Sequence, residues 1–500
     1  MNSPRRPVGS RGRRPALVAL AGLLVLAGLA AVRAGTARTR PPHGAGAGAD
    51  VAPSACTGIR VRPGDDPQAV LDGQPAGAPF CFAAGTYRLA APLRPKARQR
   101  LVAEPGAVLS GAQVVAGWRR DGTAWSATGH LPAEPTVHGE CNPGYDGCRY
   151  AEAVFYDGRQ LWRVDGRDEV ARGRFYEDYG SGTIWIADDP GGHQVEVARA
   201  EGAVAGDAPE VLVEGFTIEK FANPAQQGAV QATGRGWRIR RNEVRLNHGH
   251  GVYADGGEVL GNHLHHNGQL GLGGGGKGQL VEGNEIDHNN TAGFSALWEA
   301  GGAKWGTSTD LVVRGNTVHH NQGPGLWTDI NCVHTLYERN NVYANTSHGI
   351  FHEISYEAVI RDNRVSDNGR SEPLPGWGGA GIRVAASPDV EVYGNVLEGN
   401  ENAIILLQQA RHDWPSPNGP HELRDVDVHD NDVTISRNVT GMVDDTGSDA
   451  VYGRNNRFRH NTYRLASPSG RFFTWRGERW DRAAWTQRFG QDTSSSFLSP

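Results

Sequence analysis

Two short segments of the chain place a carboxylic acid at the same position of the same pattern. Residues 325–329 read Gly-Leu-Trp-Thr-Asp and residues 349–353 read Gly-Ile-Phe-His-Glu, so Asp329 and Glu353 each stand four residues after a glycine. Two carboxyl groups about 5 to 5.5 Å apart supply the nucleophile and the acid/base of retaining glycosidases. Carboxylates this close are also tolerated when a cation such as calcium bridges them. Either chemistry requires the fold to bring the two segments side by side.

Both segments belong to a repeat that extends from Asn242 to Asn461. An asparagine followed two residues later by an apolar residue occurs nine times, and a second asparagine closes eight of the copies. The first asparagines are Asn242, Asn262, Asn284, Asn316, Asn340, Asn363, Asn395, Asn431 and Asn456. Their intervals run from 20 to 36 residues, and three of them are long. This indicates stacked units with a base period of about 20 to 25 residues and three insertions.

A second phrase, glycine or alanine followed by an apolar residue, recurs after these asparagines. Its copies are Gly251-Val252, Gly271-Leu272, Gly293-Phe294, Gly325-Leu326, Gly349-Ile350, Gly381-Ile382, Ala403-Ile404 and Gly441-Met442. Short alternating runs punctuated by glycine and asparagine predict strands joined by corners rather than helices. Asparagine suits corners because it tolerates left-handed backbone, and stacked asparagines can bond to one another in a ladder.

The repeat resembles the right-handed parallel β-helix of the pectate-lyase-like superfamily, over roughly residues 208–465. The resemblance implies an all-β fold, a right-handed parallel β-helix whose open apolar ends are covered by an N-terminal cap and a C-terminal cap. It leaves the activity open, because this fold hosts hydrolases, lyases, epimerases and adhesive stalks.

The remaining sequence divides the chain into six parts. The predicted parts are residues 1–34 (signal peptide or membrane anchor), 35–55 (Ala/Gly/Pro linker), 56–114 (cap and first coils), 115–205 (inserted β-rich subdomain), 206–465 (coils) and 466–500 (C-terminal cap). The basic start followed by an uncharged run is typical of export. We therefore expect a secreted or extracellular monomer that meets a membrane only through its N-terminus.

Charge and cysteines agree with export. The net charge is −5, and it becomes −11 when residues 1–34 are removed with their six arginines. An acidic protein is a poor partner for nucleic acid, whereas a polysaccharide or cell-wall glycan is suitable. Cys141 with Cys148, and Cys56 with Cys81, are predicted disulfides of an oxidising compartment. Cys332 is left over and is predicted to be a buried, inert thiol.

Strand alternation predicts which residues face outward. The apolar residue after each glycine points inward, so the second and fourth residues after glycine point outward. Neighbouring coils lie about 4.8 Å apart, which places Asp329 beside Glu353 on an exposed strip. Trp327 and Phe351 lie next to them, and Arg383 follows on the next coil. We expect Asp329 and Glu353 to act as an acid/base pair or a calcium site, and Arg383 as a base or an anion contact.

The three long intervals all place their extra residues next to this strand, which marks a binding face. Tryptophan suits this face because its flat apolar ring packs on sugars. The candidate substrate-binding residues are Trp298, Glu299, Lys304, Trp305, Trp327, His352, Trp377 and Trp414, with His412 and Asp413 beside the last. His352 falls in an inward column, where a buried imidazole is the preferred interpretation and exposure would require a bend at the strand end.

A column of histidines, His266, His288 and His320, stands four residues after successive asparagines. Three imidazoles in register can bind zinc. However, stacking gives a line rather than a tetrahedron, and no carboxylate is expected to join them. This column is therefore not predicted to be a metal site.

These observations predict a carbohydrate-active enzyme that works in a groove along the Gly-apolar strand, with a glycoside hydrolase ahead of a polysaccharide lyase or C5-epimerase. A non-catalytic glycan-binding or cell-surface stalk is the alternative from another class.

Overall fold

Three long sheets of parallel strands make up most of the molecule. The computed structural model describes residues 54–370, 378–411, 415 and 417–499. Sheet 1 has 13 strands, sheet 2 has 13 and sheet 3 has 12. The chain passes through sheet 3, sheet 1 and sheet 2 in turn, so each coil adds one short strand to each sheet. We therefore describe the fold as a parallel β-helix.

The strands follow the chain in a regular order. Sheet 1 contains Ile59–Val61, Pro79–Phe82, Arg100–Ala103, Leu212–Glu214, Arg238–Arg240, Glu258–Leu260, Leu280–Glu282, Val312–Arg314, Val333–Glu338, Tyr356–Arg361, Val390–Tyr393, Asp427–His429 and Arg457–Arg459. Sheet 2 contains Gly85–Arg88, Ala107–Ser110, Thr217–Glu219, Glu243–Arg245, His263–His265, Glu285–Asp287, Thr317–His319, Asn341–Tyr343, Arg364–Ser366, Val396–Glu398, Asp432–Ile435, Thr462–Leu465 and Ser496–Leu498. Sheet 3 contains Val204–Gly206, Gly228–Ala232, His250–Asp255, Leu270–Gly275, Gly301–Gly306, Leu326–Asp329, Ile350–Glu353, Ala380–Ala385, Asn402–Gln408, Thr440–Asp444, Phe473–Trp475 and Glu478–Trp480.

Residues 112–198 interrupt the coils and form two smaller sheets. One contains Ala112–Val114, Val154–Tyr156, Arg159–Gln160 and Val195–Ala198. The other contains Arg119–Asp121, Ala124–Thr128, Trp162–Arg163, Arg174–Asp178 and Thr183–Ile186. The second apolar cluster of the protein, built around Phe175 and Ile184, lies in this insert.

Helical segments are short. The α-helix Pro67–Asp72 is capped by Asp66, whose side chain accepts a hydrogen bond from the backbone N–H of Ala69. The other helical turns are Asp146–Arg149, Arg167–Glu169, Ala450–Gly453 and Ala484–Arg488. Within the described residues, no helix has the length and hydropathy required to span a bilayer.

One apolar core runs through the coils. The inward residue of each strand is fully buried, as Val252, Leu326, Ile350 and Ile382 illustrate on sheet 3. Both predicted disulfides, Cys56–Cys81 and Cys141–Cys148, are present. Cys332 is a buried free thiol, as predicted, and burial raises its pKa to about 11.

Two ladders of buried asparagine side chains tie the coils together. In a typical step, Asn340 donates from its backbone N–H and its amide group to Asn363 Oδ1, at 2.9 and 3.0 Å. The first ladder contains Asn242, Asn262, Asn284, Asn316, Asn340, Asn363, Asn395, Asn431 and Asn461. The second contains Asn247, Asn267, Asn289, Asn321, Asn345, Asn368 and Asn400. Each amide satisfies corner peptide groups that burial would otherwise leave unpaired.

Three register expectations are wrong. Gly293-Phe294 is not a sheet 3 strand, because the strand of that coil is Gly301–Gly306, with Ala303 opposite Leu272. Met442 lies opposite Leu406 rather than Ile404. The ninth repeat is also shifted, since Asn461, and not Asn456, continues the first ladder. At Gly293 and at Asn456 a second copy of the phrase also fits the pattern, and strand pairing selects that copy. Met442 is displaced by two residues, so it still faces the core.

Candidate active site

Asp329 and Glu353 lie on adjacent coils, as the sequence predicts. Leu326–Asp329 and Ile350–Glu353 are parallel neighbours in sheet 3, with Trp327 opposite Phe351. The same register carries Asp329 next to Glu353 at the C-terminal ends of the two strands. Adjacent strands are about 4.8 Å apart, so the two carboxyl groups are neighbours on the outer face of sheet 3.

The expectation that this strip is exposed to solvent is wrong. Asp329 is 5% exposed and Glu353 is 6% exposed, although both side chains point away from the main core. Loops from other parts of the chain cover the outer face of sheet 3 at this point. Two ionisable groups that are shielded from water in this way need compensating partners, because burying a charge without a partner is strongly unfavourable.

Asp329 obtains its partner from the preceding coil. Lys304 Nζ lies 3.0 Å from Asp329 Oδ2 and 3.5 Å from Glu299 Oε2. Glu299 in turn accepts a hydrogen bond from Gln226 Nε2 at 3.1 Å, and its Oε1 lies 3.3 Å from His250 Nε2. Burial raises the pKa of Glu299, but these hydrogen bonds and cations outweigh it and lower the pKa to about 2. The ammonium group of Lys304 is thus held between two carboxylates.

Glu353 has a different environment. Burial and the nearby charge of Asp329 raise the pKa of Glu353 to about 7, although Arg411, Arg383 and Lys304 act in the opposite direction. Arg411 Nη2 lies 3.1 Å from Glu353 Oε1. Glu353 therefore holds a proton to a higher pH than an ordinary glutamate, while the carboxyl group of Asp329 is paired with an ammonium group. Two neighbouring carboxyl groups with such unlike surroundings suit an acid and a nucleophile.

Four consecutive coils stack a cation, two aromatic rings and a second cation next to this pair. Lys304 Nζ lies 3.9 Å from the centre of the Trp327 ring. Trp327 stacks on Phe351 with 5.4 Å between ring centroids, and the Arg383 guanidinium lies 5.0 Å from the Phe351 ring. Such cation–π contacts are strongest where water is excluded.

Trp327 is therefore not the exposed sugar platform that the sequence predicts. It is 4% exposed, and with Phe351 it belongs to a small apolar cluster on the outer face of sheet 3 that includes Ile405 and Leu407. Arg383 is half-buried one coil beyond Glu353, and its Nη1 lies 2.9 Å from His348 Nε2. Burial lowers the pKa of Arg383.

Two further expectations are contradicted. Trp305 is fully buried in the main core, because it alternates with Lys304 on the strand Gly301–Gly306 and so points inward. His352 is also fully buried inside the coil, with its Nδ1 2.7 Å from Thr328 Oγ1, and burial lowers its pKa to about 3. Neither side chain reaches the outer face where a substrate would bind.

The insert supplies one wall of the site. Its loop around Cys141 forms an antiparallel bridge with Phe294, and Ser295 N–H donates to Glu140 O at 2.8 Å. Trp298 follows in the same segment and is half-buried, with its ring 5.6 Å from the His138 ring. Its backbone carbonyl oxygen accepts a 3.3 Å hydrogen bond from Lys304 Nζ. The first long insertion therefore positions Trp298, Glu299 and Lys304 together, as expected of a binding face.

The third insertion covers the other end of the acid pair. Asn331 Nδ2 donates to Pro415 O at 2.8 Å, and Asn331 Oδ1 lies 2.8 Å from His421 Nε2. Tyr356 Oη donates to Gly419 O at 2.7 Å. Because Asn331 and Tyr356 directly follow the strands that carry the two acids, these contacts hold the loop over the acid pair. The candidates Trp377 and Trp414, with His412 and Asp413, lie outside the described residues.

Several residues of the site were not identified from the sequence. Arg411 and His421 lie in the third insertion, and His250, Gln226 and His348 begin or precede sheet 3 strands. The insertion length was a signal for the first two. The others had no signal, because histidine and glutamine at a strand start are common in any surface.

A separate cavity of about 460 Å³ lies in the insert, lined by Tyr145, Arg163 and His248 among others. Arg163 pairs there with Glu177, and the Tyr179 hydroxyl lies within hydrogen-bond distance of both Glu152 and Glu177 and can donate to one of them at a time. Glu177 is thus already held by a guanidinium group. The acid pair on sheet 3 is the better candidate for chemistry although it is more enclosed.

Comparisons with known proteins agree with the fold. Residues 228–397 match the family model described as a right handed beta helix region. The structure of XylC with xylose superposes with a TM-score of 0.64 at 14% sequence identity, covering 86% of this chain and 82% of that one. The A-module of the Azotobacter vinelandii mannuronan C-5 epimerase AlgE4 gives a TM-score of 0.41 at 14% identity, covering 73% of this chain and 90% of that one. No curated protein sequence matches. The predicted all-β, right-handed parallel β-helix is confirmed.

Proposed function

We propose that the protein is a retaining glycoside hydrolase in which Asp329 is the nucleophile and Glu353 is the acid/base. The observation that carries the proposal is the unlike environment of two carboxyl groups on adjacent strands. Asp329 faces the ammonium group of Lys304, whereas Glu353 has a pKa raised to about 7. The two acids stand on strands about 4.8 Å apart, a spacing suited to the about 5 to 5.5 Å between the carboxyl groups of retaining enzymes.

In the first half-reaction, protonated Glu353 gives its proton to the glycosidic oxygen as the bond from that oxygen to the anomeric carbon breaks. A carboxylate oxygen of Asp329 forms a bond to the same carbon, which yields a glycosyl ester and a free alcohol. Lys304 holds the Asp329 carboxylate in place through their 3.0 Å contact. Preorganised charge of this kind acts most strongly in a site that excludes water.

In the second half-reaction, Glu353 is a carboxylate and takes a proton from water. The hydroxide oxygen bonds to the anomeric carbon as the ester bond to Asp329 breaks, so the sugar leaves with its original configuration. Arg411, 3.1 Å from Glu353, stabilises the charged form of Glu353 in this step. The same residue thus serves as acid and then as base.

We propose that the covering loops admit the end of a glycan rather than an internal segment. Asp329 and Glu353 are almost fully buried, with the loop bearing the Cys141–Cys148 disulfide at one end and residues 415 and 417–421 at the other. We therefore propose action on a terminal sugar. XylC, which was solved with xylose, has the same fold, and aryl xylosides are thus reasonable first substrates.

A lyase or C5-epimerase is the second candidate, and one observation favours it. Arg383 lies one coil beyond Glu353, and burial lowers its pKa, as required of an arginine base. The hydrolase is preferred because Arg383 already contacts His348 and the Phe351 ring, and because Lys304 and Arg411 balance the two acids. Lys304 and Arg411 also disfavour the binding of a calcium ion to the acid pair, because they already neutralise its charge. A calcium ion is therefore proposed for the lyase alternative alone.

The test is a glycan and aryl-glycoside panel, with reducing ends and unsaturated uronates followed in parallel. We expect release of reducing sugar, retention of anomeric configuration by NMR, and loss of turnover by about 10⁴-fold or more in Asp329→Asn. Glu353→Gln is expected to hydrolyse glycosides of good leaving groups far better than natural glycosides. The matched control is Glu398→Gln, at an exposed acid on sheet 2.

Three results would count against this assignment. Unsaturated product with unchanged reducing ends would favour the lyase. Binding without turnover in the wild-type protein would favour a glycan-binding stalk. Full activity in both acid variants would remove the site altogether.

We further propose that the chain is exported, since two disulfides fit an oxidising compartment. The predicted signal segment, residues 1–34, and most of the linker lie outside the described residues. Fractionation of the native host with an antibody to the protein would test this location.

A further inference from the structure

The outer face of sheet 2 carries a cluster of histidines around one buried acid, far from the residues of the proposed active site in the fold. His265, Asp287 and His319 occupy one row on three successive coils. The sequence interpretation treated the corner histidines as a line without a carboxylate. It is wrong on this point, because Asp287 stands among them.

Asp287 is held by imidazoles on two sides. Its Oδ2 lies 2.6 Å from His288 Nδ1, and its Oδ1 lies 2.6 Å from His263 Nε2. The carboxylate is 6% exposed, whereas the ring of His288 is 47% exposed, so solvent reaches the cluster. No lysine or arginine is paired with Asp287 among the ion pairs of the described residues.

From this geometry we propose that Asp287, His288 and His319 form a binding site for a divalent transition-metal ion, with zinc as the best match. One ligand atom from each of the three lies within 4.8 Å of the others. Zinc with nitrogen and carboxylate ligands at about 2.0 to 2.1 Å separates its ligands by about 3.3 Å. The ligand atoms must therefore approach one another by up to about 1.5 Å when the metal binds.

The donor set selects among metals. Two imidazole nitrogens with one carboxylate oxygen suit zinc and its neighbours in the first transition row, whereas calcium and magnesium prefer oxygen alone. The fourth position is left to water. A metal here exchanges for the proton that His288 and Asp287 now share, so the short hydrogen bond becomes a pair of metal bonds.

The surrounding groups orient the ligands. His319 Nδ1 lies 2.9 Å from His320 Nδ1, and when His319 carries the proton between them on Nδ1, its Nε2 has a lone pair that can bind the metal in place of its present contact with Glu285. His319 Nε2 also lies 3.3 Å from Glu285 Oε1. Glu285, Asp287 and His263 form a second group of ligand atoms within 4.8 Å, which shares Asp287 with the first.

The site would join two coils. Asp287 and His288 end one sheet 2 strand, and His319 ends the strand of the next coil. A metal bound to all three joins adjacent coils on the outer face of sheet 2, in addition to their backbone hydrogen bonds. Because it binds the folded chain alone, a free metal concentration of about 100 times Kd shifts the folding equilibrium about 100-fold.

The test uses tag-free protein, since the chain already contains 19 histidines. After chelation and dialysis, zinc is titrated by calorimetry at pH 7.5, and cobalt(II) is followed by its visible absorption. We expect one strong site per chain, a four-coordinate cobalt spectrum and a higher melting temperature with zinc. His288→Gln and His319→Gln should each weaken binding by about 100-fold or more.

The matched control is His429→Gln. His429 also contacts two carboxylates, at 2.7 and 3.0 Å, but no second imidazole completes a set there. Unchanged zinc affinity in both ligand variants, or equal loss in the control, would overturn the proposal. So would the absence of stoichiometric binding at 10-fold excess zinc (about 100 µM over 10 µM protein, a range chosen for a Kd near 10⁻⁶ M). Glycoside turnover need not change in any of these variants, so this test is independent of the proposed activity.

Discussion

The outer faces of sheet 2 and sheet 3 both gather ionisable side chains, but they treat them differently. On sheet 3, Asp329 and Glu353 lie under loops, and their side chains are 7% and 8% exposed. On sheet 2, the rings of His263 and His288 remain 41% and 47% exposed around a single buried acid. Ordinary coil geometry produces both rows, since the same register stacks equivalent residues at about 4.8 Å.

The comparison teaches that the loops, rather than the coils, decide the chemistry. Removal of water raises the pKa of Glu353 and strengthens the pairing of Lys304 with Asp329. In the more open cluster, burial also raises the pKa of Asp287, but the adjacent histidines outweigh it and lower the pKa overall. The outer face of sheet 3 thus carries an acid with a raised pKa, Glu353. The outer face of sheet 2 carries an acid with a lowered pKa, Asp287, between imidazoles.

The largest effect is expected from removing the ammonium group of Lys304, which lies between Asp329 and Glu299 on the outer face of sheet 3. Lys304→Met should lower kcat/KM by about 10² to 10³-fold, because the nucleophile loses the charge that holds it and Glu299 loses its ammonium partner. Steady-state kinetics on an aryl glycoside measures this. Lys277→Met is the control, since Lys277 lies on the neighbouring coil with its side chain 79% exposed. An equal loss in both variants would show that the effect is not specific to the site.

The second prediction concerns stability and has opposite signs on the two faces. A carboxyl group whose pKa rises from about 4.5 unfolded to about 7 folded destabilises the folded state as pH rises between these values. Glu353→Gln should therefore stabilise the protein at pH 8 by up to about 3 kcal/mol and change little at pH 4. The lowered pKa of Asp287 gives stability above its unfolded pKa that is lost in acid, so Asp287→Asn should destabilise the protein at pH 8.

Denaturant unfolding of both variants at the two pH values measures this difference. The contrast fails if the two substitutions change stability in the same direction at pH 8. Stability need not follow activity here, since a strained acid in an active site commonly reduces stability.

A smaller effect is expected for the pH profile. Arg411 favours the charged form of Glu353, so Arg411→Ala should raise the pKa of Glu353 further. The alkaline limb of kcat/KM, which reports loss of the acid's proton, should move upward by about one unit, or about tenfold in rate at a fixed pH above the limb. Arg424→Ala, at an exposed pair on sheet 1, is the matched control. If the alkaline limb of kcat/KM does not move, the titration that produces it does not belong to Glu353.

The smallest effect is expected from the insert loop that carries the Cys141–Cys148 disulfide and forms one wall of the site. Replacing Cys141 and Cys148 together by serine should loosen the loop that bridges to Phe294 and raise KM about threefold, with kcat nearly unchanged. The insert keeps its own apolar cluster, so the fold should remain. A large fall in kcat would mean that the loop positions the acid pair itself.

Much of the coil was predictable, because its constraints are local and repeated. Asn340 and its equivalents recur at the coil period, and their amides must pair with corner peptides. The alternation of Leu326 and Trp327 also follows from strand geometry alone. The predicted register was wrong at Gly293, because the long insertion contains two glycine-apolar phrases. Only the pairing of Leu272 with Ala303 shows which of them belongs to sheet 3.

The candidate site was predictable only in part. Sequence placed Asp329 and Glu353 together, and it marked the insertions that carry Glu299 and Lys304. Trp305, one of its substrate-binding candidates, points into the core because one position of strand register exchanges the inner and outer faces. His352, another candidate, is buried as its inward column indicated.

The amino-acid sequence by itself determined the winding of this chain and the adjacency of its two acids, since both follow from a period and an alternation that every coil repeats. The tertiary structure decided what these acids experience. Their burial depends on residues 138–148, Arg411 and residues 417–421, which are distant in sequence and meet sheet 3 only after folding. Proton affinity depends on such long-range packing, and a local pattern does not contain it.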